Sequence, residues 1–76
     1  MEARHELQVE ALRLFFEAND IKILHERRRK ESYTFATDAQ GFTHKQLRNL
    51  TNFAHIGIFL WVENGRYTMA VNVHFV

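Results

Sequence analysis

The chain has 76 residues, with 10 Lys and Arg against 9 Asp and Glu, five His, and neither Cys nor Pro. That length accommodates one small domain, 1–76, and the missing Cys excludes a disulfide framework, thiolate metal sites and a cysteine nucleophile. The longest apolar run, residues 58–62, is too short to span a membrane. The charged opening offers no apolar stretch of a secretory signal, so a cytoplasmic protein is expected. A hydrophobic fraction of 46% with nearly balanced charge argues for a folded globule. A chain this short buries only about 60% of its unfolded surface. Small domains without disulfides commonly gain stability from a metal or a second copy.

Residues 2–18 lack Gly and Pro and are rich in Leu, Ala, Glu and Arg, which predicts a helix. At about 100° per residue, Ala3, Leu7, Ala11, Leu14, Phe15 and Ala18 fall on one side, the side expected to pack on the domain. Glu2, Glu6, Glu10, Arg13 and Glu17 form an acidic stripe on the far side, expected to be solvated, with Val9, Leu12 and Phe16 between. This apolar arc is wider than the roughly 100° of a helix packed on one surface. The second set is expected to meet another helix or to receive a partner.

Asn19-Asp20 ends the helix, and the period changes. Ile21, Ile23 and His25 alternate with Lys22, Leu24 and Glu26, which predicts a strand with His25 on its apolar side. Residues 27–32 read as a polar turn and residues 33–37 as a second strand; the competing reading continues the first helix through Lys30. Thr43 and Gln46 make a capping box, with Phe42 and Leu47 as its hydrophobic staple. Leu47, Leu50, Phe53 and Ala54 then mark one face of a short helix. Asn64-Gly65 is a strong hairpin signal, because a type I′ turn needs positive φ at both positions. It fixes a register: Glu63 with Arg66, Val62 with Tyr67, Trp61 with Thr68, Leu60 with Met69, Phe59 with Ala70, Ile58 with Val71, and on to His55 with His74.

The two halves echo each other at an offset of about 35, Leu12-Arg13 matching Leu47-Arg48 and residues 33–36 matching 67–70. The expected class is α+β: two layers in the order α-β-β-α-β-β, two hairpins forming a four-stranded antiparallel sheet with two helices on one face. That order also fits a pseudo-duplicated chain or a circularly permuted ferredoxin-like sheet, the last strand replacing a missing first one.

The densest charge feature is Lys22, Arg27, Arg28, Arg29 and Lys30. Residues 22–48 hold seven basic against three acidic residues, whereas the first twenty are net acidic. Arginines on a hairpin tip can neutralise phosphates or clamp carboxylates in bidentate fashion. The second feature is the sheet face away from the helices, where Phe59 and Trp61 lie beside Thr68 and Ala70, with Lys22, Leu24 and Arg28 expected on the same face of the first hairpin. Trp with flanking Arg is the composition of an interface hot spot or of a base-stacking platform. A loop folding over these aromatics, or a second protomer stacked sheet to sheet, would cover them. The last strand, ending in residues 72–76 without a polar tail, is a further candidate for pairing with another chain.

His55 and His74 face each other but lack a third ligand, so no metal is expected, and no cofactor. Ser32 has no base nearby in sequence, and glycines at 41, 57 and 65 form no phosphate loop, so no catalytic residue is assigned. The expected function is a non-enzymatic regulatory or inhibitory protein that binds a protein partner through Phe59, Trp61, Lys22, Arg27, Arg28, Arg29 and Lys30, as a homodimer. The runner-up is a nucleic-acid-binding protein using the same residues, and an uncharacterised enzyme stands third.

Overall fold

Asn64 and Gly65 adopt φ of 51° and 75°, so the type I′ turn forms where the dipeptide places it. It joins β3 (Ile56–Glu63) to β4 (Arg66–His74), and every pair from Ile56↔Val73 to Glu63↔Arg66 holds in the predicted register. The computed structural model describes residues 3–53 and 55–75. Its remaining elements are α1 (Ala3–Ala18), β1 (Ile23–Arg28), β2 (Ser32–Thr37) and α2 (His44–Leu50). The first hairpin therefore forms, and the helix through Lys30 does not. Its turn is tighter than expected. Arg29 N–H donates to the Ser32 carbonyl at 2.8 Å, leaving Lys30-Glu31 as the loop and putting Arg27 and Arg28 in the strand.

The four strands are antiparallel throughout, in the order β1-β2-β4-β3. This is the order that the permuted ferredoxin-like arrangement requires. β2 and β4 meet at a central seam, where Ala36 pairs with Ala70, two residues that also correspond in the internal echo. Both helices pack on one face of the sheet. Val9, Leu12 and Phe16 of α1 and Leu50 of α2 close over Tyr33, Phe35, Val71 and Val73.

α1 is rotated by about half a turn from expectation. Its core face is Val9, Leu12 and Phe16, whereas Leu7 and Leu14 are 70% and 63% exposed. The helix ends in a Schellman motif: Asp20 takes φ 57°, Asp20 N–H donates to the Glu17 carbonyl, and Ile21 N–H donates to the Phe16 carbonyl at 2.9 Å. Ile21, at the position that usually contacts the last helical turn, packs against the core.

This rotation brings Glu6 and Arg13 of the acidic stripe beside β1, while Glu6, Glu10 and Glu17 stay exposed as expected. Glu6 pairs with Arg28 at 3.7 Å. Arg13 pairs with Glu10 and donates to Glu26 Oε1 through Nε at 2.9 Å and Nη2 at 2.7 Å. It also reaches the Tyr33 hydroxyl, which itself donates to Glu26 Oε1 at 2.8 Å. Burial pushes the Glu26 carboxyl up, but the hydrogen bonds from Arg13 and Tyr33 outweigh it and hold its pKa below the ordinary 4.5. Burial, and then the hydrogen bond to Glu26, raises Tyr33.

α2 has seven residues, too few to persist alone. Its capping box forms: Gln46 N–H donates to Thr43 Oγ1 at 3.1 Å, and Thr43 N–H donates to Gln46 Oε1 at 2.9 Å. Such a cap contributes about 1 kcal/mol, and Leu50 anchors the helix in the core. Leu47, expected on the packed face, is exposed, and Ala54 lies outside the described residues. The two helices cover β2 and the inner half of β4 but not the outer part of the second hairpin. Leu60 and Val62 remain 62% and 60% exposed, and Tyr67 beside them is also exposed. Among the described residues, no helix is long and apolar enough to cross a membrane.

The orientation of α1 sets a stability contrast. Leu12→Ala should cost about 2–5 kcal/mol by chemical denaturation, as for other fully buried leucines, while Leu14→Ala should stay within about 0.5 kcal/mol. Glu26 sets a pH dependence. With its folded pKa depressed, the advantage of the wild type over Glu26→Gln should be full above the ordinary carboxylate range and decline as the pH falls below it. Denaturation midpoints of the two proteins across that range measure it.

Candidate functional site

The uncovered face of the sheet is organised by a bulge in β1. Ile23 pairs with Thr37, but His25, two residues later, pairs with Ala36, so one residue is inserted at Leu24. Because strand side chains alternate, this insertion reverses the parity of everything after it. His25, Arg27 and, just before the turn, Arg29 now share the uncovered face with Thr34 and Ala36. Glu26 and Arg28 point to the helix side, where Arg13 and Glu6 receive them. The expectation that His25 joins the apolar side and that Arg28 stands beside Phe59 and Trp61 is thus corrected. Lys22 precedes the bulge, where its amide N–H donates to Asp38 Oδ1 at 2.9 Å, and Lys30 sits in the loop. Neither lines the depressions described next.

One end of the face is roofed by its own side chains. Trp61 Nε1–H donates to Glu63 Oε2 at 2.9 Å, and His25 Nε2 lies 3.1 Å from the same oxygen. The His25 and Trp61 rings are 6.2 Å apart between centroids, although β1 and β3 are opposite edges of the sheet. The bridge passes over small residues, and Ala36 and Ala70 are fully buried beneath it. Hydrogen bonds from Trp61 and His25 hold the Glu63 carboxyl below its ordinary pKa. Trp61 is therefore half-buried and engaged, and Phe59 is the aromatic left open, at 41% exposure. No loop covers it.

From this roof a groove runs toward the Lys30-Glu31 loop. A narrow part of about 140 Å³ lies between Arg27, Arg29 and His25 on one wall and Phe59 and Trp61 on the other. It continues into a wider depression of about 500 Å³ lined by Arg29, Thr34, Phe59, Gly57, Asn72 and His74. Thr34 Oγ1 donates to Asn72 Oδ1 at 2.7 Å, so the Asn72 amide nitrogen is the end left for a ligand. Arg27 and Arg29 are exposed, and their guanidinium groups form no ion pair among the described residues. Two of the carboxylates that flank the groove are engaged elsewhere. Glu26 is held by Arg13 on the other face, and Glu63 is held in the roof. Such a groove presents hydrogen-bond donors and one aromatic surface, and its complement is acceptor-rich and anionic.

Sequence reasoning missed His25, Thr34, Asn72, Gly57 and His74 as groove residues. Gly57 and Asn72 were within reach, since the Asn-Gly turn already pairs them opposite one another. His55 and His74 meet only through the backbone, where His74 N–H donates to the His55 carbonyl at 3.0 Å. Among the described residues, no group of three or more His, Cys, Asp or Glu could hold a metal. The end of β4 is also engaged. Phe75 N–H donates to the Glu31 carbonyl at 2.8 Å and its ring stacks on His5, so this stretch is not the free strand end the sequence led us to expect; Val76 lies outside the described residues. No known protein family, curated protein or solved structure matches the chain.

The Thr68 hydroxyl, beneath Trp61, is buried without a hydrogen-bond partner among the described residues. Leaving a hydroxyl unpaired costs about 1–3 kcal/mol. Thr68→Val should therefore raise stability by about 1 kcal/mol in chemical denaturation.

Proposed function

We propose that the chain is a small non-enzymatic regulatory or inhibitory protein of the cytoplasm, acting as a homodimer, whose groove receives an acidic segment of a protein partner. The observation that carries this reading is the bulge-driven gathering of unpaired Arg27 and Arg29 opposite exposed Phe59. Two guanidinium forks and the Asn72 amide supply donors for carboxylates. Phe59 supplies the apolar contact that lets an interface exclude water around them. A second reading, single-stranded nucleic acid, draws on the same pairing of an open aromatic with cations, since bases stack and phosphates take the arginines.

Gly57 allows a test that removes no charge. A Cβ built there meets nothing nearer than the Asn72 carbonyl oxygen at 4.0 Å, so Gly57→Val should fold while narrowing the groove. Fluorescence anisotropy with a labelled Asp/Glu-rich peptide and with a labelled oligothymidylate separates the readings. Peptide binding should fall about tenfold or more, equivalent to about 1.4 kcal/mol, in Gly57→Val and in Arg27→Ala/Arg29→Ala. It should be unchanged in Arg28→Ala, whose side chain lies on the other face with Glu6. Oligothymidylate binding without peptide binding would overturn the protein-partner reading. The salt slope should then shrink by about 1.4 in the double variant, at about 0.7 per phosphate contact on a single strand.

A further inference from the structure

The two edges of the sheet differ in kind. β1 is bulged and carries exposed His25, Glu26, Arg27 and Arg28, features that discourage pairing with another strand. β3 runs eight residues without a bulge, a proline or a charge before Glu63. The two-residue turn makes Glu63 and Arg66 the first hydrogen-bonded pair. The antiparallel alternation then directs the amides and carbonyls of Ile58, Leu60 and Val62 away from β4 and out of the sheet. Their side chains lie on the helix side, where α1 and α2 leave them exposed.

We propose that β3 pairs antiparallel with β3 of a second copy about a two-fold axis at Leu60, joining two sheets into one of eight strands. The segment complements itself in that register. Ile58 meets Val62 of the second copy and Leu60 meets its own counterpart on the helix side. On the groove side Phe59 meets Trp61 of the second copy, and the one charge, Glu63, falls opposite Gly57. An isologous contact needs such self-complementarity, and a foreign strand would have no reason to match both faces of β3. Sheet-to-sheet stacking of the groove faces, one of the two covers weighed from sequence, would bury Arg27 and Arg29, whose guanidinium groups form no ion pair among the described residues. Edge pairing instead leaves both grooves open, on the same side of the joined sheet. The pairing stands whether or not the groove takes an acidic partner, and sedimentation reads it without any groove ligand.

Sedimentation of the full chain at high micromolar concentration should give a dimer of the 9.1 kDa chain. Leu60→Lys should weaken it about a hundredfold, or about 2.7 kcal/mol, with the circular dichroism spectrum retained. Leu7→Lys/Leu14→Lys, on the outer side of α1, should leave it intact. The absence of native Cys permits a register test that does not depend on Leu60→Lys folding. Leu60→Cys would bring two thiols together at a Cα separation of about 5.5 Å, within disulfide reach. Val62→Cys would hold them roughly 14 Å apart, four residues at about 3.4 Å each. Mild oxidation should crosslink the first at least about tenfold faster than the second. A wild-type monomer at that concentration overturns the proposal. So does a dimer lost in the Leu7/Leu14 variant but kept in Leu60→Lys, or equal crosslinking of the two cysteine variants.

Discussion

The bulge between Ile23 and His25 sets the parity of the rest of β1, and the distribution of charge over both faces of the sheet depends on it. Without the extra residue, Glu26 would stand on the groove side beside Arg28, while Arg27 and Arg29 would be driven toward the helix layer. With it, the alternating run of residues 25–29 is sorted by face. Glu26 and Arg28 meet Arg13 and Glu6 of α1, and His25, Arg27 and Arg29 are left to the groove. One inserted residue therefore gives the helix layer its polar fastening and the open face its cationic wall.

That fastening in turn explains the rotation of α1. Two apolar sets were available to it, and the set with Phe16, Leu12 and Val9 has Arg13 and Glu6 on its flank. Turning that set inward buries large side chains, each worth about 1.5–3 kcal/mol, and brings the flank over β1. The Arg13, Glu26 and Tyr33 cluster joins three elements through three side chains, and shared hydrogen bonds satisfy each polar atom drawn under the helix. The alternative rotation would bury Leu7 and Leu14 but leave Glu26 without a cation.

The second hairpin was legible residue by residue because Asn64-Gly65 specifies a turn with no freedom of register. The same is true of the start of α2, where Thr43 and Gln46 satisfy each other's backbone amides. The bulge was not legible. A single inserted residue leaves no mark in composition, and Leu24 is as acceptable in a regular strand as in a bulged one. The rotation of α1 was hidden for a different reason: apolar residues occupy nearly opposite poles of the helix, so periodicity alone cannot choose between them. The aromatic wall of the groove followed from the turn, whereas its cationic wall needed the bulge. Only half of the candidate groove could therefore be read in advance, and Arg28 lies on the opposite face from the one expected.

The strand order carries a consequence for how the chain reaches this fold. Two of the three strand pairings, β1 with β2 and β3 with β4, join neighbours in sequence across two-residue loops, and such hairpins close in roughly 1–10 μs. The remaining pairing, β2 with β4, brings together residues such as Thr34 and Asn72, 38 positions apart. Closing that long loop carries nearly all of the non-local ordering cost, so the central seam is the step on which the folding rate depends. Until it forms, each hairpin is a ribbon with two open edges, and the apolar one containing β3 is the more prone to find the wrong neighbour.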